Sequence, residues 1–210
     1  MSEIQVNTIS EYTGANGVVI DGVTVKDGAI ASSFISGLSA DFVLLATGTA
    51  SASADITLDN FVDTTNYVSY RVIAENIRPA TDGQQFQYYF RTGGASGSDV
   101  TSNYSFAGND ASAFESSLSF GASIAYPFSG VSNTAGEELS WVGEFCPNLG
   151  SVGDAWMQTD GMWTTDGGGS NRRNYIWINS TTTQVTGLRF KMASGNITSG
   201  SIYVFGQKKV

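Results

Sequence analysis

The sequence contains no histidine and a single cysteine, Cys146. Histidine is the commonest general base near neutral pH, the commonest metal ligand and the usual partner of a nucleophilic serine. Its absence removes all three routes together. One cysteine excludes a disulfide framework within the chain and any zinc site built on thiolates. Trp141, Val142 and Phe145 precede it, and that setting predicts a buried structural thiol, not a reactive one. Charge is also scarce, at 14% of residues against about 25% in an average domain. The 10 basic residues are scattered, their only adjacent pairs being Arg172-Arg173 and Lys208-Lys209, and the net charge is −9. Phosphate neutralisation needs clustered Lys and Arg, so no nucleic acid is expected as a partner. No apolar run approaches the roughly 18 residues of a membrane span. Residues Met1 to Thr8 show neither the basic region nor the apolar core of a secretory signal. Membrane insertion is therefore not expected, and the chain is expected to be made in a reducing cytoplasm.

What the chain does contain is glycine, hydroxyls and aromatics. The 210 residues include 25 Gly, with 41% hydrophobic and 12% aromatic residues. That is enough for one packed domain with a short appendage, and the composition is that of an all-β protein with many turns. Alternation of period two recurs between turn signals, as in Tyr67–Ala74, Leu188–Met192 and Ile202–Phe205. Strands are predicted at Phe42–Ala46, Ala54–Leu58, Tyr67–Ala74, Gln85–Arg91, Tyr104–Ala107, Ser117–Ile124, Leu139–Glu144, Asp154–Gln158, Asn174–Ile178, Val185–Met192 and Ser201–Gly206. Turns are predicted at Asn76–Thr81, Asp82-Gly83, Gly93–Gly97, Gly108–Asp110 and Asp166–Ser170. Helix is limited to one turn each near Asp110–Glu115 and Thr134–Glu138. The fold class expected is all-β, an antiparallel jelly-roll-like β-sandwich over 36–210, preceded by a turn-rich module over 1–35. Low charge suits a surface that sister subunits cover.

The first thirty residues carry the most specific signal. Asn16-Gly17, Asp21-Gly22 and Asp27-Gly28 are turn pairs, and only Val18-Val19-Ile20 and Val23-Thr24-Val25 lie between them. The spacing leaves no room for a hairpin of useful length. The apolar residues Val6, Ile9, Tyr12, Val18, Ile20, Val23 and Val25 are therefore expected to bury against other copies of the chain, as an attachment and trimerisation element. The run VNTISEYTGANGVVIDGVTVKDGAI resembles a module near the start of trimeric structural proteins of tailed bacteriophages. YRVIAENIRPATDGQQFQYYFRTGG and GSIYVFGQKK are similar to β domains of such virion proteins. The resemblance implies a homotrimer on the outer surface of the virion, anchored on the major capsid protein or a tail component. It supplies no active site.

Four groups of residues could carry chemistry. Glu137-Glu138, Glu144, Asp154 and Asp160 include the carboxylates a glycosidase needs, but isolated acidic residues are mostly solvated. Asp99, Asn103, Asn109, Asp110, Asp160 and Asp166 offer oxygen ligands without the spacing of a calcium loop; Asx turns use the same residues. Gly93–Ser98 resembles a phosphate cradle in composition only, without the following Lys. The stretch from Trp156 to Arg173 holds Trp156, Asp160, Trp163, Asp166, Arg172 and Arg173, the aromatic faces and polar partners of a glycan contact. Packing of both Trp in the core competes with that reading. No catalytic residue, metal ligand or cofactor is assigned. The function expected is a non-enzymatic homotrimeric fibre or decoration on the outer capsid. The alternatives are a short tail fibre touching host-surface glycan and, third, a glycan-cleaving enzyme.

Overall fold

A computed structural model of the chain describes residues 18–20, 23–26, 29–30, 41–110, 119–148 and 153–209, with side chains over 41–108, 122–148 and 153–209. The chain divides into two units, Met1–Asp41 and Phe42–Val210. In the first, strands β1 (Val18–Ile20), β2 (Val23–Lys26) and β3 (Ala29–Ile30) form an antiparallel sheet in that order. Val18 pairs with Val25 and Ile20 with Val23. The segment thus does fold back on itself, in ladders of two or three rungs, where the turn spacing predicted no useful hairpin. Val6, Ile9 and Tyr12, the side chains of Val18, Ile20, Val23 and Val25, the joint at 31–37 and the helical turn expected after Asp110 all lie outside the described residues.

The second unit is an all-β antiparallel sandwich. Its strands are β4 (Phe42–Ser53), β5 (Asp55–Leu58), β6 (Tyr67–Pro79), β7 (Gln84–Thr92), β8 (Ser98–Asp99), β9 (Tyr104–Asp110), β10 (Ser119–Ala122), β11 (Ala125–Val131), β12 (Leu139–Cys146), β13 (Ala155–Thr164), β14 (Ser170–Asn179), β15 (Val185–Met192) and β16 (Ile197–Lys208). The larger sheet runs β10-β9-β14-β13-β12-β6-β16-β4, and the smaller runs β11-β7-β15-β5 with β8 on β7. Four strands of each sheet reproduce jelly-roll pairing: β4-β16-β6-β12 opposite β5-β15-β7-β11. The hairpin β13–β14 and the strands β9–β10 then widen one sheet beyond the other.

Alternation decides which side chains meet. In β12, Leu139, Trp141, Gly143 and Phe145 are buried, and Ser140, Val142, Glu144 and Cys146 face outward. Phe86–Trp141, Phe90–Phe145, Trp141–Phe190 and Phe128–Trp163 are ring contacts across the two sheets. Such pairs add to area burial by about 0.5–1.5 kcal/mol each. Gly161 lets the Phe128 ring of the facing sheet approach closely, since a Cβ there would sit 2.6 Å from both that ring and Trp141 Cβ.

Several strands differ from expectation. β11 was not predicted; it carries Pro127 and ends in Ser129-Gly130-Val131. It is an edge strand, the place where a residue without an N–H costs no ladder bond. Asn76–Pro79 belongs to β6 and is not a turn. Asn76 takes a left-handed φ of 55° at a register shift against β12 and β16, which is a bulge. Thr134–Glu138 is an irregular turn without helix.

Candidate functional site

The stretch from Trp156 to Arg173 is a hairpin. β13 and β14 pair from Ala155↔Asn179 to Thr164↔Ser170, so only Thr165–Gly169 forms the loop. Period two therefore divides the six glycan candidates. Trp156, Asp160 and Arg172 face outward, whereas Trp163 and Arg173 face inward. Asp166 lies exposed in the loop. Trp163 is only 3% exposed, so its ring is closed to a stacking sugar. Its indole N–H donates to the Ser129 carbonyl at 3.0 Å, and its ring meets Phe128 edge-on. The Arg173 guanidinium lies 5.4 Å from the Trp163 ring centroid and 5.6 Å from that of Tyr175, and donates to Ser129 Oγ at 2.9 Å. Trp163 and Asp160 thus occupy opposite faces of one sheet, and of the two candidate Trp only Trp156 shares the face of Asp160.

The outward face carries a groove of about 670 Å³ lined by Ile73, Asn76, Ser140, Val142, Met162 and Arg172, among others. A second hollow of about 410 Å³ shares Val142 and Asp160 with it and adds Arg71, Glu144, Gln158 and Asn174. Register places these in rows. Leu44, Phe205, Arg71, Glu144, Gln158 and Ile176 follow one another across adjacent strands, as do Tyr203, Ile73, Val142, Asp160 and Asn174. Arg172 clamps Asp160 with Nε to Oδ1 at 3.0 Å and Nη2 to Oδ2 at 2.6 Å. That guanidinium holds the Asp160 carboxyl below the usual carboxylate range. A glycosidase acid needs the opposite shift, so Asp160 is unsuited to protonating a leaving group. Glu144 pairs with Arg71 at 3.5 Å.

The remaining candidates sit in structural roles. Ser132 Oγ donates to Glu137 at 2.7 Å, and the Gly136 N–H donates to Glu138. Asp99 is held by Arg91 and by Arg189 Nη1, the latter at 2.6 Å, and so belongs to an arginine network. Among the described residues no three Cys, Asp or Glu side chains gather as a cation site would require. Gly94–Ser96 is a single 3₁₀ turn with no Lys beside it. Cys146 departs from expectation. Phe145 takes the inward position, so the thiol faces outward, half-buried, opposite Trp156. Burial still pushes the thiol pKa up.

Comparison with protein-family models, with curated proteins and with solved structures finds no match to this chain. What it binds must be read from its surfaces. The outer face of the larger sheet carries a set of residues outside the six glycan candidates. An antiparallel sheet with one solvated face shows polar residues there. Here Phe42, Leu44, Val142 and Met162 are exposed, Leu44 at 51% and Met162 at 62%. Trp156, Ile176, Ile178, Ile73, Tyr203 and Phe205 stand half-buried beside them. The alternation that buries one set of apolar residues leaves a second set outside.

Proposed function

We propose that this protein is a non-enzymatic structural component of a tailed-phage virion, a homotrimer on the outer capsid surface, in which neighbouring copies cover the outer face of the larger sheet. The observation that carries this reading is the apolar outer face running from Leu44 and Phe205 to Met162 and Ile176. Exposed apolar patches of this kind mark interaction surfaces, and sheets with two apolar faces are ordinarily covered on both. Four of the flanking charges are already paired as Arg71–Glu144 and Asp160–Arg172, and Glu75, which also lines the groove, is the charge that a covering copy would have to meet. The resemblance of residues 6–30 to the phage module supports the virion assignment and the trimeric state.

Light scattering of the full-length protein tests the assembly, and a monomer overturns it. The double variant Leu44→Asp/Met162→Asp, which alters no buried position, should dissociate the trimer into folded monomers. If deletion of residues 1–35 leaves the trimer intact, the sandwich carries the main contact. Antibody labelling of virions locates the protein. Labelled heads fit a capsid fibre or decoration, and label confined to tail tips favours a short tail fibre anchored on a tail component.

A further inference from the structure

An Asp-Gly link carries a latent reaction of its own. Gly places no side chain between the Asp carboxyl carbon and the next amide nitrogen, so that nitrogen can close on the carbon to give a five-membered succinimide. Closure requires a peptide plane that can turn, an amide N–H that is not engaged elsewhere, and a carboxyl that nothing holds. The sequence has five Asp-Gly pairs, of which Asp21-Gly22 and Asp27-Gly28 lie outside the described residues. The other three are Asp82-Gly83, Asp160-Gly161 and Asp166-Gly167, and each follows a Thr. Local sequence therefore does not distinguish them, and the fold does.

Asp160-Gly161 lies in the ladder between β12 and β14. Arg172 clamps its carboxyl, and Phe128 and Trp141 fill the space beside Gly161. Asp82 accepts from the Asn133 N–H at 2.9 Å through Oδ1, and its carbonyl accepts from Gln84 Nε2 at 3.3 Å. Asp166-Gly167 escapes both kinds of restraint. It sits in the exposed loop Thr165–Gly169 of the β13–β14 hairpin. The N–H groups of Thr165, Asp166, Gly168 and Gly169 donate to the carbonyls of Gly169, Gly130 and Thr165 and to Thr165 Oγ1, respectively. The Gly167 N–H, the nitrogen the reaction needs, is the one amide of this loop with no acceptor among the described residues. The Asp166 carboxyl takes part in no hydrogen bond or ion pair among them, and it rests beside Gly83, which has no side chain to hold it. A Cβ at Gly167 would meet nothing within 4 Å, so the space into which the peptide must turn is open.

We propose that Asp166-Gly167 is a site of self-modification, at which Asp166 converts spontaneously to isoaspartate. The Gly167 nitrogen attacks Cγ of the protonated Asp166 carboxyl. The N–Cγ bond forms, and the carboxyl's hydroxyl leaves with the amide proton as water. Water then opens the ring. Attack at Cγ restores aspartate. Attack at the Asp166 main-chain carbonyl breaks its bond to Gly167, leaves that carbonyl as a carboxylate and routes the chain through Cγ. One water leaves and one returns, so mass and oxidation state are unchanged and no other reactant is needed. The product carries one more backbone methylene inside the turn that the Thr165–Gly169 bonds close. None of this depends on the outer sheet face.

The test incubates full-length protein for several weeks at mildly acidic pH and 37 °C, folded in one arm and in guanidinium chloride in the other. Chymotrypsin separates Asp160 from Asp166 by cutting after Trp163. Electron-transfer fragmentation distinguishes isoaspartate from aspartate at equal mass. In the folded protein Asp166 should isomerise at least fivefold faster than Asp82 and Asp160, and in denaturant that lead should disappear. Gly167→Ala, which fits the open space, should leave the melting midpoint unchanged and slow the reaction at Asp166 at least threefold. The proposal is overturned if Asp166 gains no isoaspartate in the folded protein, if Asp82 or Asp160 gains it as fast there, or if the lead of Asp166 persists undiminished in denaturant. An unchanged rate in Gly167→Ala would overturn it too, because the missing side chain at 167 is what opens the route.

Discussion

Trp163→Ala tests the division of the β13–β14 hairpin into an inner and an outer face. Trp163 is 3% exposed, wedged against Phe128, and donates to the Ser129 carbonyl on the edge strand β11. Truncating a buried Trp to Ala costs about 3–5 kcal/mol in lost transfer energy and cavity formation. The Ser129 carbonyl also loses its indole donor, but Ser129 is half-buried and water can partly replace it, so this adds about 1 kcal/mol at most. Arg173 loses one of its two stacking partners, worth about 0.5–2 kcal/mol in a half-buried setting. These terms overlap, and about 4 kcal/mol is the expected total. For a unit of this size each kcal/mol moves the melting temperature by about 2–4 °C, so the variant should melt about 8–16 °C below the parent. Both proteins are compared at one concentration, because oligomerisation makes the midpoint concentration-dependent. Trp163→Phe, which keeps the edge contact and loses the hydrogen bond, should lie between them. A Trp163→Ala midpoint within about 3 °C of the parent would refute the burial argument, since it corresponds to roughly 1 kcal/mol.

Gly161→Ala places a methyl group 2.6 Å from the Phe128 ring and Trp141 Cβ; overpacking of this kind should cost about 1–3 kcal/mol in chemical denaturation. Arg91→Ala removes the cation that joins Asp59 and Asp99, whose side chains are 17% and 16% exposed. The loss should be roughly 2–3 kcal/mol, below the 3–5 of a fully buried pair, and Arg189 limits the damage at Asp99. The Asp160–Arg172 clamp gives a pH signature. Because Asp160 is depressed in the folded protein, its contribution is complete above about pH 4 and fades as the pH falls through the folded value. The melting-point difference between parent and Asp160→Asn should therefore be small, as for any exposed pair, greatest at neutral pH, and absent in strong acid. A difference that grows on acidification would contradict the clamp.

The strands most legible in the sequence were those whose two faces differ sharply. In β15, Leu188, Phe190 and Met192 alternate with Arg189 and Lys191, and the predicted bounds match those of the strand. β4 runs to Ser53, well past the predicted end at Ala46, because its second half is Thr, Gly, Ala and Ser. It pairs as the outermost strand of its sheet, where side chains contribute little to the core. The candidate site was harder to read. Trp156 and Trp163 stand seven positions apart, an odd spacing that places them on opposite faces of any strand. The predicted strand stops at Gln158, because Thr159, Asp160 and Gly161 interrupt the apolar residues, and so it includes Trp156 without Trp163. Asp160 meets Arg172, and Phe106 meets Trp177, only through cross-strand register. No local pattern encodes register between strands as distant as β9 and β14. The outer apolar face was hidden for a related reason: Leu44, Phe205, Val142 and Met162 come from four strands and become neighbours only when those strands pair.

The place of β16 in the sheet has a consequence for synthesis. It lies between β4 and β6, bonding to β4 from Phe42 to Ser53 and to β6 from Tyr67 to Pro79, yet it follows every other described strand of the sandwich in the order of synthesis. Until Lys208 emerges, two strands made more than a hundred residues earlier have no partner between them, and their exposed edges can recruit the same strand from a nascent sister chain. Loop closure over such a separation is slow, and concurrent translation on one message supplies sister chains at high local concentration. The step that completes one subunit is therefore also the step at which strand exchange between subunits competes with folding, so the rate of translation bears on the yield of correctly closed subunits.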